Sequence, residues 1–270
     1  MFKKSAPLKV LISGSRGYIG SNLLGSIREL GWRPREVGRG PIDYIQQQLQ
    51  SFSPDVFFHL AGRHYHESEE NWLENTVESN FGFGMRVSRF LPKSTKIILA
   101  GSFWQFSEDG CEKANSTYAA LKSAFHKYLE AEGFRVMTLV LFDVYGPNDT
   151  RKKLVNTLLY EDCKEMKVTQ GEQFLDLVFV SDVCRAFLLA GTTSFVTSGF
   201  AAVSSGQRLT LRSLVQIVED LRGEKLHLNW GSIPYPSHQI MRPVSCLPRL
   251  GDWDAVVPIR EGLRRCLSNR

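Results

Sequence analysis

Tyr118 and Lys122 bound the run Tyr118-Ala119-Ala120-Leu121-Lys122, and their four-residue spacing sets a phenol and an ammonium on one helical face. A cation close to a phenol lowers its pKa, so the pair is expected to exchange a proton near neutral pH. The run begins a helix one loop after Ala100-Gly101-Ser102, which closes a short apolar stretch. That position, at the end of a strand, separates the pair from the many YxxxK matches that are merely structural.

A second group of residues lies near the start of the chain. Gly14-Ser15-Arg16-Gly17-Tyr18-Ile19-Gly20 leaves an apolar run, Leu8 to Ser13, and enters a helical pattern that Gly31 ends. Glycines at such a strand–helix turn permit a tight bend, bring backbone amides to a pyrophosphate and let helix pack closely on sheet. A dinucleotide is therefore expected here, contacted by Gly14, Ser15, Arg16, Gly17, Tyr18 and Ile19. The next strand should end near Arg39, which places Glu36 too early to meet a ribose hydroxyl. Arg16 and Arg39 would then converge on a 2′-phosphate, since guanidinium offers a planar fork of donors. NADPH is the expected cofactor, with NAD(H) as the alternative.

The elements that must position these groups follow from the patterning. Short apolar runs at 8–13, 55–61, 96–100 and 135–142 alternate with helical patterns near 20–30, 44–52, 71–90 and 117–132. Near-continuous apolar strands between helices imply a parallel sheet covered on both faces, a doubly wound α/β fold of Rossmann type. Residues 1–148 are assigned to this dinucleotide-binding domain. Residues 149–270 are assigned mainly to a smaller substrate lobe, with about 176–190 returning to the Rossmann sheet. Helices are expected there near 154–165, 181–190, 211–221 and 259–266, and a strand at 176–180.

Composition narrows the classes. The chain has 270 residues, 43% hydrophobic and 23% charged, enough for a core without staples. Thirty-three basic against 28 acidic residues leave +5, scattered apart from knots such as Arg151-Lys152-Lys153, so no nucleic-acid groove is expected. Cys111, Cys163, Cys184, Cys246 and Cys266 form no CxxC pair, which argues against a disulfide framework and a thiolate zinc site. His64 and His66 lack neighbours that would make them a metal pair, and His64 is expected instead against a sugar hydroxyl. No run is long enough to span a membrane, and Met1 to Pro7 lacks the apolar core of a signal peptide. A cytoplasmic protein with reduced thiols is expected.

Taken in order, the glycine turn, His59-Leu60-Ala61-Gly62, Asn80, Gly101-Ser102, Tyr118 with Lys122, and Leu141-Phe142-Asp143-Val144-Tyr145-Gly146-Pro147 resemble the extended short-chain dehydrogenase/reductase family. Gly171-Glu172-Gln173 and Asp176 to Val183 extend the resemblance over nearly the whole chain. These stretches look most like bacterial nucleotide-sugar 4-ketoreductases, the CDP-abequose and CDP-paratose synthases among them. The resemblance implies that Tyr118 donates a proton, Lys122 tunes it and binds the nicotinamide ribose, Ser102 holds the substrate carbonyl and Asn80 supports Lys122 through water. It further implies that Leu60, Ala61 and Gly62 line the cofactor, that Leu141 and Phe142 flank the nicotinamide, and that Asp143 and Lys153 face the sugar nucleotide. Many relatives carry Arg where this chain has Leu175, so Arg151 or Arg242 would have to supply that phosphate contact. Relatives also pair through the helices near 71–90 and 117–132, which implies a homodimer.

The residues after Ser102 separate the chemistries of the family. Dehydratases resemble Asp-Glu there, and fucose-synthase-like enzymes carry a cysteine at the second position. Here stand Phe103 and Trp104, which transfer no protons and would instead wall a 6-deoxy methyl group. The expectation is NADPH-dependent reduction of a nucleotide-linked 4-keto-6-deoxy sugar in deoxysugar and surface-glycan (O-antigen) biosynthesis. The alternatives are a 4-epimerase with tightly held NAD and a non-catalytic dinucleotide sensor.

Overall fold

The computed structural model describes residues 7–160, 165–193, 198–236 and 239–268. Met1 to Ala6, Cys163 and the end of the helix expected over 154–165 lie outside the described residues.

The N-terminal part alternates strand and helix. β1 (Lys9–Ser13), α1 (Tyr18–Glu29), β2 (Arg33–Val37), α2 (Ile42–Leu49) and β3 (Val56–His59) come first. Then α3 (Trp72–Val77), a π turn (Glu78–Gly82) and α4 (Phe83–Ser88) form the continuous segment expected as one helix. β4 (Lys96–Ala100), a 3₁₀ turn (Phe103–Gln105), α5 (Thr117–Ala131) and β5 (Arg135–Leu141) complete the unit. After β6 (Asp143–Tyr145) come α6 (Leu154–Tyr160), β7 (Met166–Val168), β8 (Phe174–Phe179) and α7 (Val180–Thr192). The chain ends through β9 (Gly199–Val203), β10 (Arg208–Thr210), α8 (Leu211–Arg222), β11 (Leu228–Trp230) and α9 (Ile259–Ser268).

The main sheet is parallel throughout, in the order β2-β1-β3-β4-β5-β9. Its direction of growth reverses at β1, which opens a crevice beyond the carboxyl ends of β1 and β3. β2 is an edge strand, which accommodates Pro34 without the loss of a ladder hydrogen bond on its open side. Successive side chains alternate faces, as a pleated strand requires. Val10, Ile12, Val56, Phe58 and Ile98 pack with Leu23, Ile27 and Phe187, from α1 and α7. Leu11, Phe57, Ile97 and Leu99 pack with Ile45, Phe83, Phe125 and Leu129 on the other face, from α2, α4 and α5. β1, β3 and β4 are thus buried on both sides, which is why they read as apolar runs.

The remaining elements build a lobe with its own core. A sheet β10-β8-β6 and a pair β11-β7 carry α6, α8 and α9, with Leu158, Leu177, Leu214, Val218 and Leu263 between them. One expectation is corrected here. Of the segment 176–190, only α7 returns to the Rossmann unit, packing on its face, whereas β8 pairs with β6 and β10 in the lobe. The strand that joins the main sheet is β9, beside β5. Apolar patterning reports burial and not the pairing partner, so β8 read like any strand of the main sheet.

Candidate active site

The glycine turn is built from backbone contacts. Gly14 has φ +72°, a region that disfavours side chains, and a Cβ there would lie 2.6 Å from Ala61 N. At Gly20 a Cβ would lie within van der Waals distance of the Gly14 carbonyl, so glycine lets α1 pack directly on the turn. The start of α1 therefore faces the crevice with its first amides unscreened, and its dipole favours an anion there. Gly14, Ser15, Arg16, Gly17, Arg39, Leu60, Ala61 and Gly62 line one cleft of about 760 Å³. This geometry fits a dinucleotide: a close-approach turn at β1, a helix N-terminus, and the ends of β2 and β3 around them. Tyr18 and Ile19 are exceptions, Ile19 lining a pocket beside Tyr118 instead. The Tyr18 hydroxyl donates to Pro147 O at 3.1 Å and its ring lies 4.7 Å from the Arg151 guanidinium, so its side chain fastens the loop after β6.

The second strand ends earlier than its sequence suggested. β2 stops at Val37, and Glu36 lines the same cleft as Arg16 and Arg39. Ser15 Oγ donates to Glu36 Oε2 at 2.6 Å, which ties the carboxylate to the glycine turn. Glu36, expected to fall too early in the strand, thus lies in the cleft beside Arg16 and Arg39. Gly38 and Gly40 do not extend the strand, and the two-residue error in its end displaced the carboxylate from view.

The residues expected to handle the proton come from two adjoining segments. Ser116 caps α5, its hydroxyl accepting from Ala119 N at 3.3 Å, so Tyr118 and Lys122 sit in the first two turns. Lys122 Nζ donates to Ala100 O at 2.7 Å and stands 5.1 Å from the Tyr118 ring centre. Ser102 caps the 3₁₀ turn in a box with Gln105: Ser102 N donates to Gln105 Oε1 at 2.8 Å, while Ser102 Oγ accepts from Trp104 N at 3.3 Å. Gln105 Nε2 then donates to Ser123 Oγ at 3.1 Å, which locks this loop to α5. Gln105 was missed as a positioning residue, although Ser-x-x-Gln at a strand end is a capping-box signal.

Electrostatics at the pair differ from the expectation. Burial raises the Tyr118 phenol above its ordinary value and pushes the Lys122 ammonium down to about 8. The phenol is held protonated, where the four-residue spacing had suggested a lowered pKa. Desolvation of both groups outweighs the attraction expected between the ammonium and a phenolate. Asn80 is placed by the π turn, its Nδ2 donating to Arg63 O at 2.8 Å and Thr76 O at 3.0 Å. Its Oδ1 lies 2.7 Å and Lys122 Nζ 3.3 Å from where a Gly62 Cβ would be, so the two groups flank Gly62 together.

A second pocket, of about 310 Å³, holds most of the other expected residues. Ile19, His64, Ser102, Phe103, Trp104, Tyr118, Leu141, Phe142, Asp143, Arg151 and Lys153 line it, with Leu175 in the wall. Phe103 stacks on Phe142 with ring centres 5.4 Å apart and planes 2° from parallel. The Tyr118 ring meets His64 and Trp104 edge-on at 5.6 and 6.4 Å. Burial lifts the Asp143 carboxyl to about 6, with Lys153 opposing and Asp176 adding to the rise. Arg151 grips the buried Asp149 through Nε and Nη2, each at 2.7 Å, and reaches Val144 O at 3.2 Å. Arg242 does not line the pocket. Its backbone N–H binds Glu108 and its guanidinium lies 5.6 Å from the Phe174 ring, because Met241 is anchored to β8.

A parallel sheet with a glycine turn at its reversal point, and Ser102, Tyr118 and Lys122 brought together beside a pocket, define a Rossmann-type α/β protein whose cleft fits a dinucleotide. The sequence profile described as the NAD dependent epimerase/dehydratase family matches residues 10–198, and the chain belongs to that family. CDP-abequose synthase of Yersinia pseudotuberculosis is 23% identical over 262 residues, covering 87% of this chain and 92% of that one. Among solved structures, MoeE5 in complex with UDP-glucose and NAD superposes with a TM-score of 0.83 at 21% identity, covering 96% of this chain and 97% of that one. RMD from Pseudomonas aeruginosa complexed with NADPH gives 0.82 at 19% identity, covering 97% of this chain and 98% of that one. Among the described residues no helix is long and apolar enough to cross a membrane.

Proposed function

We propose that this protein reduces the C4 ketone of a nucleotide-linked 4-keto-6-deoxy sugar, with NADPH as the reductant, in surface-glycan biosynthesis. The observation that carries the reading is a pocket in which Ser102 and Tyr118 meet the aromatic pair Phe103 and Trp104. At the two positions after Ser102 no carboxylate or thiol is available to remove water or to epimerise neighbouring carbons. The bound dinucleotide would supply hydride to the carbonyl carbon. Ser102 Oγ would hold the carbonyl oxygen while Tyr118 gives its phenolic proton to that oxygen, so the ketone becomes an alcohol. A phenol kept protonated by burial suits this direction, because the first half of an epimerisation would require it ionised. Lys122 would stabilise the resulting phenolate, and Arg16 and Arg39 would hold a 2′-phosphate. Lys153 and Arg151 would face the nucleotide diphosphate, with Arg151 shared with Asp149. A homodimer through α3, α4 and α5 is part of the proposal, supported by exposed Leu73 and Val77 on α3.

Glu36 favours a second reading. A carboxylate at this end of a dinucleotide cleft suits the free ribose hydroxyls of NAD, and a retained NAD would suit a 4-epimerase. The substrate class is tested by comparing specificity constants for 4-keto-6-deoxyglucose linked to CDP or dTDP with those for the unlinked sugar. Remote binding energy from base and diphosphate should favour the linked forms strongly. Equal values would reject a nucleotide-sugar enzyme.

A further inference from the structure

We infer that His59 is a positioning residue for Tyr118 and Lys122: its Nε2 is the third partner of the buried water that the family resemblance already implies between Asn80 and the Lys122 ammonium. The purpose of that water rests on the reductase reading, whereas its existence does not.

His59 ends β3 and is 4% exposed. Its Nδ1 lies 2.8 Å from Ser13 Oγ, which also accepts the Ala61 N–H at 3.4 Å. With the Ser13 hydroxyl donating to Nδ1, the imidazole would carry its N–H on Nε2 and could donate into the cavity. His59 Nε2 and Asn80 Oδ1 are both buried without a hydrogen-bond partner among the described residues. Buried polar groups are rarely left so, and each would cost stability if it stayed unpaired.

Both residues and Lys122 line the same small cavity. It offers the centre of a water-sized sphere about 10 Å³, which is room for one water. Its polar lining is complementary to that water. The water would accept from His59 Nε2 and from Lys122 Nζ and donate to Asn80 Oδ1, three bonds of the kind buried waters normally make. Two glycines let the chain pass close to the polar atoms: a Cβ at Gly84 would overlap the Phe125 ring and lie 3.0 Å from His59 Nε2, and one at Gly62 would lie 2.7 Å from Asn80 Oδ1. Phe57, Phe83 and Phe125 surround the imidazole at 5.0 to 6.2 Å between ring centres. Burial, with lesser contributions from Lys122 and Arg39, pushes the His59 pKa down to about 3, so the ring acts as a neutral donor.

The consequence falls on Lys122. Ala100 O takes one of its three N–H groups, and the water would take a second. The third is then aimed by default, toward the side on which Tyr118 lies. His59 would therefore fix the rotation of an ammonium that it never touches.

A crystal structure of the full chain, at a resolution that shows ordered water, tests the site directly. The expected result is a water about 2.7–3.2 Å from His59 Nε2, Asn80 Oδ1 and Lys122 Nζ. A site without water, or His59 Nε2 turned onto a protein group, overturns the inference. The role is tested with His59→Leu and His59→Gln, read as kcat and KM for NADPH oxidation with a linked 4-keto sugar. Losing a neutral hydrogen bond to the water should lower kcat about three- to tenfold in His59→Leu while KM moves within about twofold. His59→Gln, which can still donate into the cavity, should recover most of the loss. A wild-type kcat in His59→Leu, or a glutamine variant no better than leucine, contradicts the positioning role. If the wild-type chain turns over no such sugar, the reductase reading fails and the crystal structure still decides the water. Should His59→Leu not fold, the glutamine variant and the wild-type structure decide.

Discussion

The two ends of the site, the cleft at the glycine turn and the pocket at Tyr118, are made of different material. At the glycine-turn end, proposed for the dinucleotide, backbone forms the wall: the positive-φ Gly14, its contact with Ala61 and the amides that open α1 lie within a short stretch of chain and one neighbouring strand. At the Tyr118 end, proposed for the sugar, side chains form it, drawn from the loop after β3, the 3₁₀ turn, α5, β6 and the 149–155 segment. A backbone site is tolerant of side-chain choice and intolerant of added Cβ atoms. A side-chain pocket has the opposite sensitivities, and it is where relatives sharing this fold can diverge in substrate.

The largest test of that contrast removes one atom from the pocket. Tyr118→Phe keeps the ring against His64 and Trp104 but loses the hydroxyl, so turnover should fall by about 10²–10⁴ while cofactor affinity moves only a few fold. Single-turnover NADPH oxidation beside a fluorescence titration separates the two quantities. Near wild-type turnover would place the proton donor elsewhere. At the other end, Arg16→Ala with Arg39→Ala should weaken NADPH about ten- to a hundredfold per lost charged contact, with NADH little changed. Equal losses for both cofactors would assign the adenosine end to Glu36 instead.

Gly14→Ala should break the backbone end alone. The left-handed φ and the approach to Ala61 N make the added methyl cost about 1–3 kcal/mol, read as a lowered midpoint of urea unfolding and a weaker dinucleotide. A variant with unchanged stability and cofactor affinity would mean that the turn does not make the close approach described here.

An effect confined to a pH window concerns Asp143. Its folded pKa, near 6, lies above the ordinary 3.8, so the protonated form is the one folding favours. Stability linked to this carboxyl is fully present below about pH 3.8 and lost as pH rises through 6, an effect of order 1–3 kcal/mol. Asp143→Asn should therefore flatten the decline in melting temperature between pH 4 and pH 7. An unchanged slope would mean that the carboxyl is solvated and leaves the pocket wall to its neighbours.

The contrast also explains what could be read from residues alone. Strands buried on both faces announce themselves as apolar runs, and the glycine turn and the Tyr118/Lys122 spacing are local, so the Rossmann unit and the placing of Tyr118 beside Lys122 were legible. Whether β8 or β9 joins the main sheet depends on hydrogen-bond partners far apart in sequence, which no local pattern encodes. Glu36 was hidden by a strand end misplaced by two residues. Arg242 was named for its charge, yet the backbone anchoring Met241 to β8 carries it away from the pocket. Desolvation at Tyr118 was illegible for the same reason: burial is a property of the packed whole.

The central claim is that hydride leaves the dinucleotide for good. Incubating the protein with excess NADPH and a CDP- or dTDP-linked 4-keto-6-deoxy sugar, and counting NADPH consumed against alcohol formed, tests it most directly. The account predicts one NADPH oxidised per sugar reduced, continuing through many turnovers. Sugar interconverted at C4 with no net NADPH oxidation would contradict it and make the protein an epimerase.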